Sequence, residues 1–355
     1  RHQLVRFGQY SRNRPRIFGA ARVGHDAEGT ELVAAFLDRQ ERLSRPHTLR
    51  RRQMIELALG REVGVEHARA RQALTGFQDG GVIPVKFSQA AEGAAPGDVA
   101  WGDLGCDLVL ECTGKFLTPE QLAGYFRRGV KRVIVAAPVK DESALNVVVG
   151  VNDALYEPDR HRLLTAASCT TNCMAPVAKI LHQNLGIESG LMTTIHAYTN
   201  DQNLLDLPHS DLRRARGAAI NIVPSSTGAA RATGLVLEAM KGRLDGTSLR
   251  VPIPDGSITD FTAIVRSTSV DEVNAAFREA AQGDLGRVLV YTEDPIVSSD
   301  IVGSPASCTF DAKMTMVQQI GSSQSLVKVF GWYDNEWGYS NRLVDLSRVV
   351  GVQVR

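Results

Sequence analysis

Five short runs of β-branched and aliphatic residues punctuate the first 150 positions, at 32–37, 82–87, 108–112, 133–137 and 147–151. Each is too short for a helix and reads as a strand. The stretch 119–129, between two of them, follows Thr118, a good N-cap, and repeats apolar residues at helical spacing. Strands alternating with helices build a parallel sheet covered on both faces. An α/β layer is therefore predicted for the first half. The pattern changes after residue 167. Residues 168–185 read as one helix that opens on small polar residues. Residues 191–197, 247–251 and 259–265 read as longer strands with partial alternation, the start of an α+β layer. Residues 271–282, capped by Ser269 or Asp271, and 343–350 read as amphipathic helices.

A chain of 355 residues has room for two domains, or one large one, and 43% hydrophobic residues suffice for the core. The formal charge is +1, with no general call for nucleic acid or a membrane surface as partner. No window approaches the run of about 18 apolar residues that a membrane span needs. No basic segment followed by an apolar core opens the chain, so no signal peptide is expected. Five cysteines, Cys106, Cys112, Cys169, Cys173 and Cys308, contain no CxxC pair and no zinc-type histidine partner. They are too few for a disulfide scaffold, no metal site is expected, and a reducing cytoplasmic setting is the default. The neutral balance hides an asymmetry: residues 1–75 carry 15 arginines, no lysine and 8 acidic residues, or +7. Without aromatic interleaving these arginines read as solvated surface or as partners of a phosphate-rich ligand, in preference to a nucleic-acid arm.

The chemistry concentrates in the centre. Ala167-Ser168-Cys169-Thr170-Thr171-Asn172-Cys173 sits at a predicted helix start. A thiol there feels the positive end of the helix, which lowers its pKa. An inert buried cysteine is the usual alternative. Flanking hydroxyls suit an anion held by free backbone amides, and His196, at the end of the next strand, supplies a base. Further on lie Thr199-Asn200-Asp201-Gln202, the arginine-rich 211–216, Pro224-Ser225-Ser226-Thr227-Gly228 and Leu249-Arg250-Val251-Pro252. Arginines with threonine and glycine amides are the usual equipment for phosphate. A dinucleotide fingerprint at the first strand–helix turn, by contrast, is almost absent. In Val5-Arg6-Phe7-Gly8-Gln9-Tyr10-Ser11 only Gly8 stands where a glycine is wanted.

These central motifs, with Trp332-Tyr333-Asp334-Asn335-Glu336-Trp337-Gly338-Tyr339-Ser340, resemble the glyceraldehyde-3-phosphate dehydrogenase family. The resemblance runs from Trp101 to the C-terminus. It implies a Rossmann-like doubly wound cofactor domain, residues 1–168 and 336–355, and an α+β catalytic domain with a mixed or antiparallel sheet, residues 169–335. It implies phosphorylating oxidation of glyceraldehyde 3-phosphate to 1,3-bisphosphoglycerate with NAD. Cys169 would form the hemithioacetal and then a thioester, with His196 as base. Thr199, Asp201 and Arg250 match the site for the substrate's phosphate. Ser168, Thr170, Thr227 and Gly228 match the site for inorganic phosphate. Arg214, with Arg213 as its neighbouring competitor, matches the arginine between them. The cofactor would touch Phe7, Gly8, Gln9, Tyr10, Asp38, Thr113, Gly114, Asn335 and Tyr339, and the assembly would be a homotetramer.

The first hundred residues depart from the pattern. Arg6 and Ser11 replace two glycines of the family's turn, Asp38 lies one position beyond the expected aspartate, and Ala136 stands where many members have serine. Two explanations stay open: a divergent cofactor site, or an N-terminal sequence altered by a local reading-frame change. Leu207-Pro208 matches the NAD-type pattern and favours NAD over NADP. Alternatives are erythrose-4-phosphate dehydrogenase or a related paralogue, and a non-catalytic relative with an impaired cofactor site.

Overall fold

The computed structural model describes residues 55–57, 85–87, 95–103 and 105–354. A parallel sheet comprises β1 (Ile55–Leu57), β2 (Val85–Phe87), β3 (Leu108–Glu111), β4 (Arg132–Val135), β5 (Ala144–Asn146) and β6 (Leu163–Thr165). Its spatial order is β2-β1-β3-β4-β6-β5. β3 and β6 are buried along their whole length, as strands covered on both faces must be. On one side lies helix α1 (Pro119–Arg127), begun by Thr118, whose hydroxyl accepts from Gln121 N–H. Its Leu122 and Tyr125 pack with Trp101, Val109, Val133 and Val135.

The expected strand at 147–151 is not one; the strand lies just before it. Asn152 Oδ1 accepts from Val148 N–H and Asp153 Oδ1 from Gly150 N–H, at 2.8 Å each. Side chains thus take up amides that a sheet neighbour would otherwise use, and Gly150 turns at φ 84°. Val147, Val148 and Val149 stay buried all the same. The expected strand at 32–37 lies outside the described residues.

The long helix α2 (Cys169–Leu185) follows β6 and leads into β7 (Ser189–Ala197). Then come β8 (Val223–Ser226), α3 (Ala229–Val236), β9 (Leu244–Val251), β10 (Ser257–Arg266) and α4 (Val270–Gln282). The chain continues through β11 (Leu289–Thr292), α5 (Ser298–Ile301), β12 (Cys308–Asp311), β13 (Met316–Ile320), β14 (Gln324–Tyr333) and α6 (Trp337–Gly351). The eight strands from β7 onward form a second, mixed sheet. Its order is β11-β12-β14-β10-β7-β9-β8, with β13 paired to β14. β10 and β14 alternate buried and half-buried residues, so one face is core.

α2 fills the space beside that face. Twelve of its residues are buried, including Cys173, Met174, Val177 and Leu181. One apolar cluster runs from Leu108, Ile134 and Leu164 of the first sheet, through α2, to Phe261, Phe310 and Val329 of the second. The architecture is therefore α/β followed by α+β. α6 comes back to pack against β4 and α2.

Candidate active site

The turn between β6 and α2 is built to present Cys169. Ala167 has φ 53°, the one non-glycine residue among those described with positive φ. Ser168 caps the helix, its Oγ accepting from Thr171 N–H at 3.1 Å. Asn172 pins the turn from below, donating from Nδ2 to Ala166 O and Ser168 O at 2.8 and 2.9 Å. Cys169 is thus the first helical residue, at the positive end of the peptide dipoles.

His196 comes from the end of β7. Its Nε2 lies 3.5 Å from Cys169 Sγ. Its Nδ1 lies 2.7 Å from Ala197 O. With its proton on Nδ1, toward Ala197 O, the ring would offer the Nε2 lone pair to the thiol. The parallel register of β7 and β9 pairs His196 with Arg250. Arg250 Nη1 donates to Ala197 O at 3.1 Å and stands 2.8 Å from Nδ1. Burial and this guanidinium push the imidazole down to about 3, against the pull of the Ala197 carbonyl. The thiol differs from expectation. Burial pushes it up, while Arg250, the Thr170 hydroxyl and the amides of the helix start only oppose that rise. Both shifts favour the uncharged forms of the pair.

Beneath the pair, Tyr333 at the end of β14 touches both elements. Its hydroxyl lies 2.9 Å from Thr170 Oγ1 and 2.8 Å from Thr194 Oγ1. Its ring meets the His196 ring edge-on, with centroids 5.8 Å apart. No role was expected for Tyr333; the alternation of β14 places it on the buried face, and that signal is in the sequence.

With this geometry in view, similarity to known proteins becomes interpretable. Residues 168–335 match the model of the glyceraldehyde 3-phosphate dehydrogenase C-terminal domain. The chain is 58% identical over 260 residues to glyceraldehyde-3-phosphate dehydrogenase 2 of Streptomyces avermitilis, covering 73% of this chain and 76% of that protein. A Streptomyces coelicolor glyceraldehyde-3-phosphate dehydrogenase is also 58% identical, over 261 residues and the same shares. Glyceraldehyde-3-phosphate dehydrogenase 3 of a Nostoc species is 51% identical over 274 residues, 77% of this chain and 79% of that one. The chain belongs to the glyceraldehyde-3-phosphate dehydrogenase family.

Several further residues expected for such a dehydrogenase lie on the elements that flank this pair. Thr199 and Asp201 follow β7, and Arg214 forms an ion pair with Asp201. Arg214 also donates to Ser226 O at 3.4 Å, beside Thr227 and the helix start Gly228. Arg213 is exposed, so Arg214 is the arginine turned toward the site. Burial pushes the Arg250 guanidinium down, and Arg214 and Asp201 lie within electrostatic reach of it. Two guanidiniums and one carboxylate therefore lie within electrostatic reach of one another on the Arg250 side of the nucleophile. The α3 start is a second group of amides, and Ala229 N–H is already taken by Thr227 Oγ1 at 3.2 Å.

On the other side, Thr113 and Gly114 follow the end of β3. The buried Glu111 accepts from Thr113 N–H at 2.7 Å, from the Thr113 hydroxyl and from Tyr125 OH. Gly114 turns at φ 69°. Tyr339 of α6 donates to Ala167 O at 3.3 Å, and burial pushes its hydroxyl well up. Asn335 is buried between β14 and α6. Phe7, Gly8, Gln9, Tyr10 and Asp38 lie outside the described residues. Cys173 is fully buried and donates to Gly331 O at 3.5 Å, pointing away from the site.

Proposed function

We propose that the chain catalyses the phosphorylating oxidation of glyceraldehyde 3-phosphate to 1,3-bisphosphoglycerate with NAD. The observation that carries this reading is the 3.5 Å contact of Cys169 Sγ with His196 Nε2 at the start of α2, with Arg250 alongside. Cys169 attacks the aldehyde carbon. His196 takes the thiol proton as the carbon–sulfur bond forms, and a proton returns to the aldehyde oxygen, leaving a hemithioacetal. His196 then removes that hydroxyl proton as hydride leaves the carbon, giving a thioester on Cys169. When bound, NAD supplies the hydride acceptor. Inorganic phosphate attacks the thioester and displaces the thiolate, giving the acyl phosphate.

Arg250, Thr199 and Asp201 are assigned to the substrate's own phosphate. Ser168, Thr170, Thr227 and Gly228 are assigned to the attacking phosphate, with Arg214 between the two. The Arg214–Asp201 ion pair and the amide-rich starts of α2 and α3 support this division. The nicotinamide end of NAD fits Asn335, Tyr339, Thr113 and Gly114. Among the described residues none accepts a hydrogen bond from Asn335 Nδ2, and a Cβ at Gly114 would meet nothing within 4 Å. Asn335 would hold the carboxamide.

The return of α6 to β4 supports a cofactor domain of residues 1–168 and 336–355 around a catalytic domain of residues 169–335. Leu204, Leu205, Leu212, Ile220 and Ile222, in the segment after β7, are more than half exposed. Such a group of large apolar side chains supports assembly into a homotetramer. No helix among the described residues is long and apolar enough to cross a membrane. A cytoplasmic enzyme of glycolysis is the reading these features favour. NADH formation from glyceraldehyde 3-phosphate that requires inorganic phosphate or arsenate, and that Cys169→Ser abolishes, is the test. Folded protein without that activity would sink the proposal.

A further inference from the structure

Ser257 opens β10 and is completely buried. Its hydroxyl joins the two halves of the site. It accepts from Ala197 N–H, next to the base His196, at 3.1 Å. It lies 2.7 Å from Asn335 Oδ1. A serine hydroxyl has a single proton. With a lone pair used by Ala197 N–H, that proton goes to Asn335, the one side-chain acceptor in contact with it among the described residues. Turning the Asn335 amide over would set its NH2 against the hydroxyl and leave the serine proton without an acceptor in a water-free place. Buried polar groups avoid that arrangement.

The Asn335 main chain is held as firmly. Its N–H faces the Asp255 side chain, which accepts from Gly256 N–H at 2.7 Å. The preceding residue, Asp334, accepts from Gly303, Glu336 and Trp337 N–H at 2.7, 2.9 and 2.6 Å. Position and rotation of the amide are thus both set before any ligand arrives. The outward group is Nδ2, a donor only.

We propose that Ser257 is a positioning residue that fixes the Asn335 amide with Nδ2 outward, so that the site selects a cofactor whose pyridine ring carries a carbonyl acceptor. This rests on the assignment of Asn335 to the nicotinamide end of NAD. A buried serine that merely closes the core would affect every ligand alike; Ser257 acts on the ring end alone.

The test is calorimetric titration of the full chain with NAD and with ADP-ribose, which lacks the pyridine ring. Wild type, Ser257→Ala, Asn335→Ala and the double variant are compared. Ser257→Ala is expected to weaken NAD roughly fivefold to tenfold and leave ADP-ribose within about twofold, the reach of one neutral hydrogen bond. In the Asn335→Ala background, Ser257→Ala is expected to add no further loss for NAD. Equal weakening of both ligands, or an additive loss in the double variant, overturns the proposal. Wild type that binds NAD no more tightly than ADP-ribose overturns the Asn335 assignment and the proposal with it. Wild type that binds neither ligand overturns the cofactor reading itself. Ser257→Cys, nearly the same size and a poorer donor, serves if Ser257→Ala does not fold.

Discussion

Replacing His196 by asparagine removes the base and leaves a polar side chain of smaller volume. The 3.5 Å separation of Nε2 and Sγ sets the scale of the effect. Once the proton has crossed, a thiolate and an imidazolium at that distance attract by about 5 kcal/mol at an effective dielectric near 20. That is between three and four powers of ten in rate, at about 1.4 kcal/mol for each. General-base help is ordinarily worth roughly 10²–10⁴-fold, so the two scales agree. His196→Asn is expected to lower kcat/KM for glyceraldehyde 3-phosphate within that range. A second assay isolates the thiol: alkylation of Cys169 by iodoacetamide across pH, without substrate. Because His196 is pushed down to about 3, the wild-type profile should show no step from imidazole titration between pH 5 and 7. Only the alkaline rise of the thiol should appear. A variant within about tenfold of wild type in kcat/KM would refute the assignment of His196 as base. A wild-type alkylation step near pH 6.5 that vanishes in the variant would instead refute the uncharged resting pair, since it would place the resting proton on the imidazole.

Three further outcomes follow from the same geometry. Arg250→Gln should raise KM for the aldehyde phosphate by roughly 10-fold to 100-fold, the scale of a charge-assisted hydrogen bond, and move the alkaline alkylation rise to higher pH; an unchanged KM would remove Arg250 from the phosphate site. Asp255 is pushed up to about 7 by burial and by Asp334, so the folded state holds a proton that the unfolded chain has lost above about pH 4. Stability from this group therefore falls as pH rises toward 7, and the melting temperature of Asp255→Asn should gain on wild type across that window; a gap that stays flat with pH would contradict it. Gly331→Ala would place a Cβ 2.7 Å from Cys308 Sγ and 3.0 Å from Cys173 Sγ. Overpacking of this kind costs about 1–3 kcal/mol, which urea unfolding would register as a lower midpoint.

Legibility varied with whether a signal was local. The start of α2 could be read because Ser168, Cys169 and the apolar run behind them follow capping and periodicity rules. α1 was readable from Thr118 for the same reason. The strand expected at 147–151 failed because an apolar run records burial and not hydrogen-bond partners, and here Asn152 and Asp153 supply those partners. The alternation of β14 was present but passed over, and with it Tyr333. Choosing Arg214 over Arg213 needs the direction of a side chain, which adjacent residues of one type do not reveal. Ser257 carries no motif; its importance comes from two contacts at the end of the sheet, with Ala197 N–H of β7 and with the Asn335 side chain just past β14. The thiol was expected to be acidified by the helix start, and burial outweighs that effect.

The most direct measurement is a rapid mix of the protein with glyceraldehyde 3-phosphate and NAD in the absence of phosphate, followed by mass analysis of the trapped protein. One equivalent of NADH per site should form in a burst, with the acyl group on Cys169, and steady turnover should begin only when phosphate is added. An absent burst, an acyl group on another residue, or turnover indifferent to phosphate would contradict a Cys169 thioester as the intermediate.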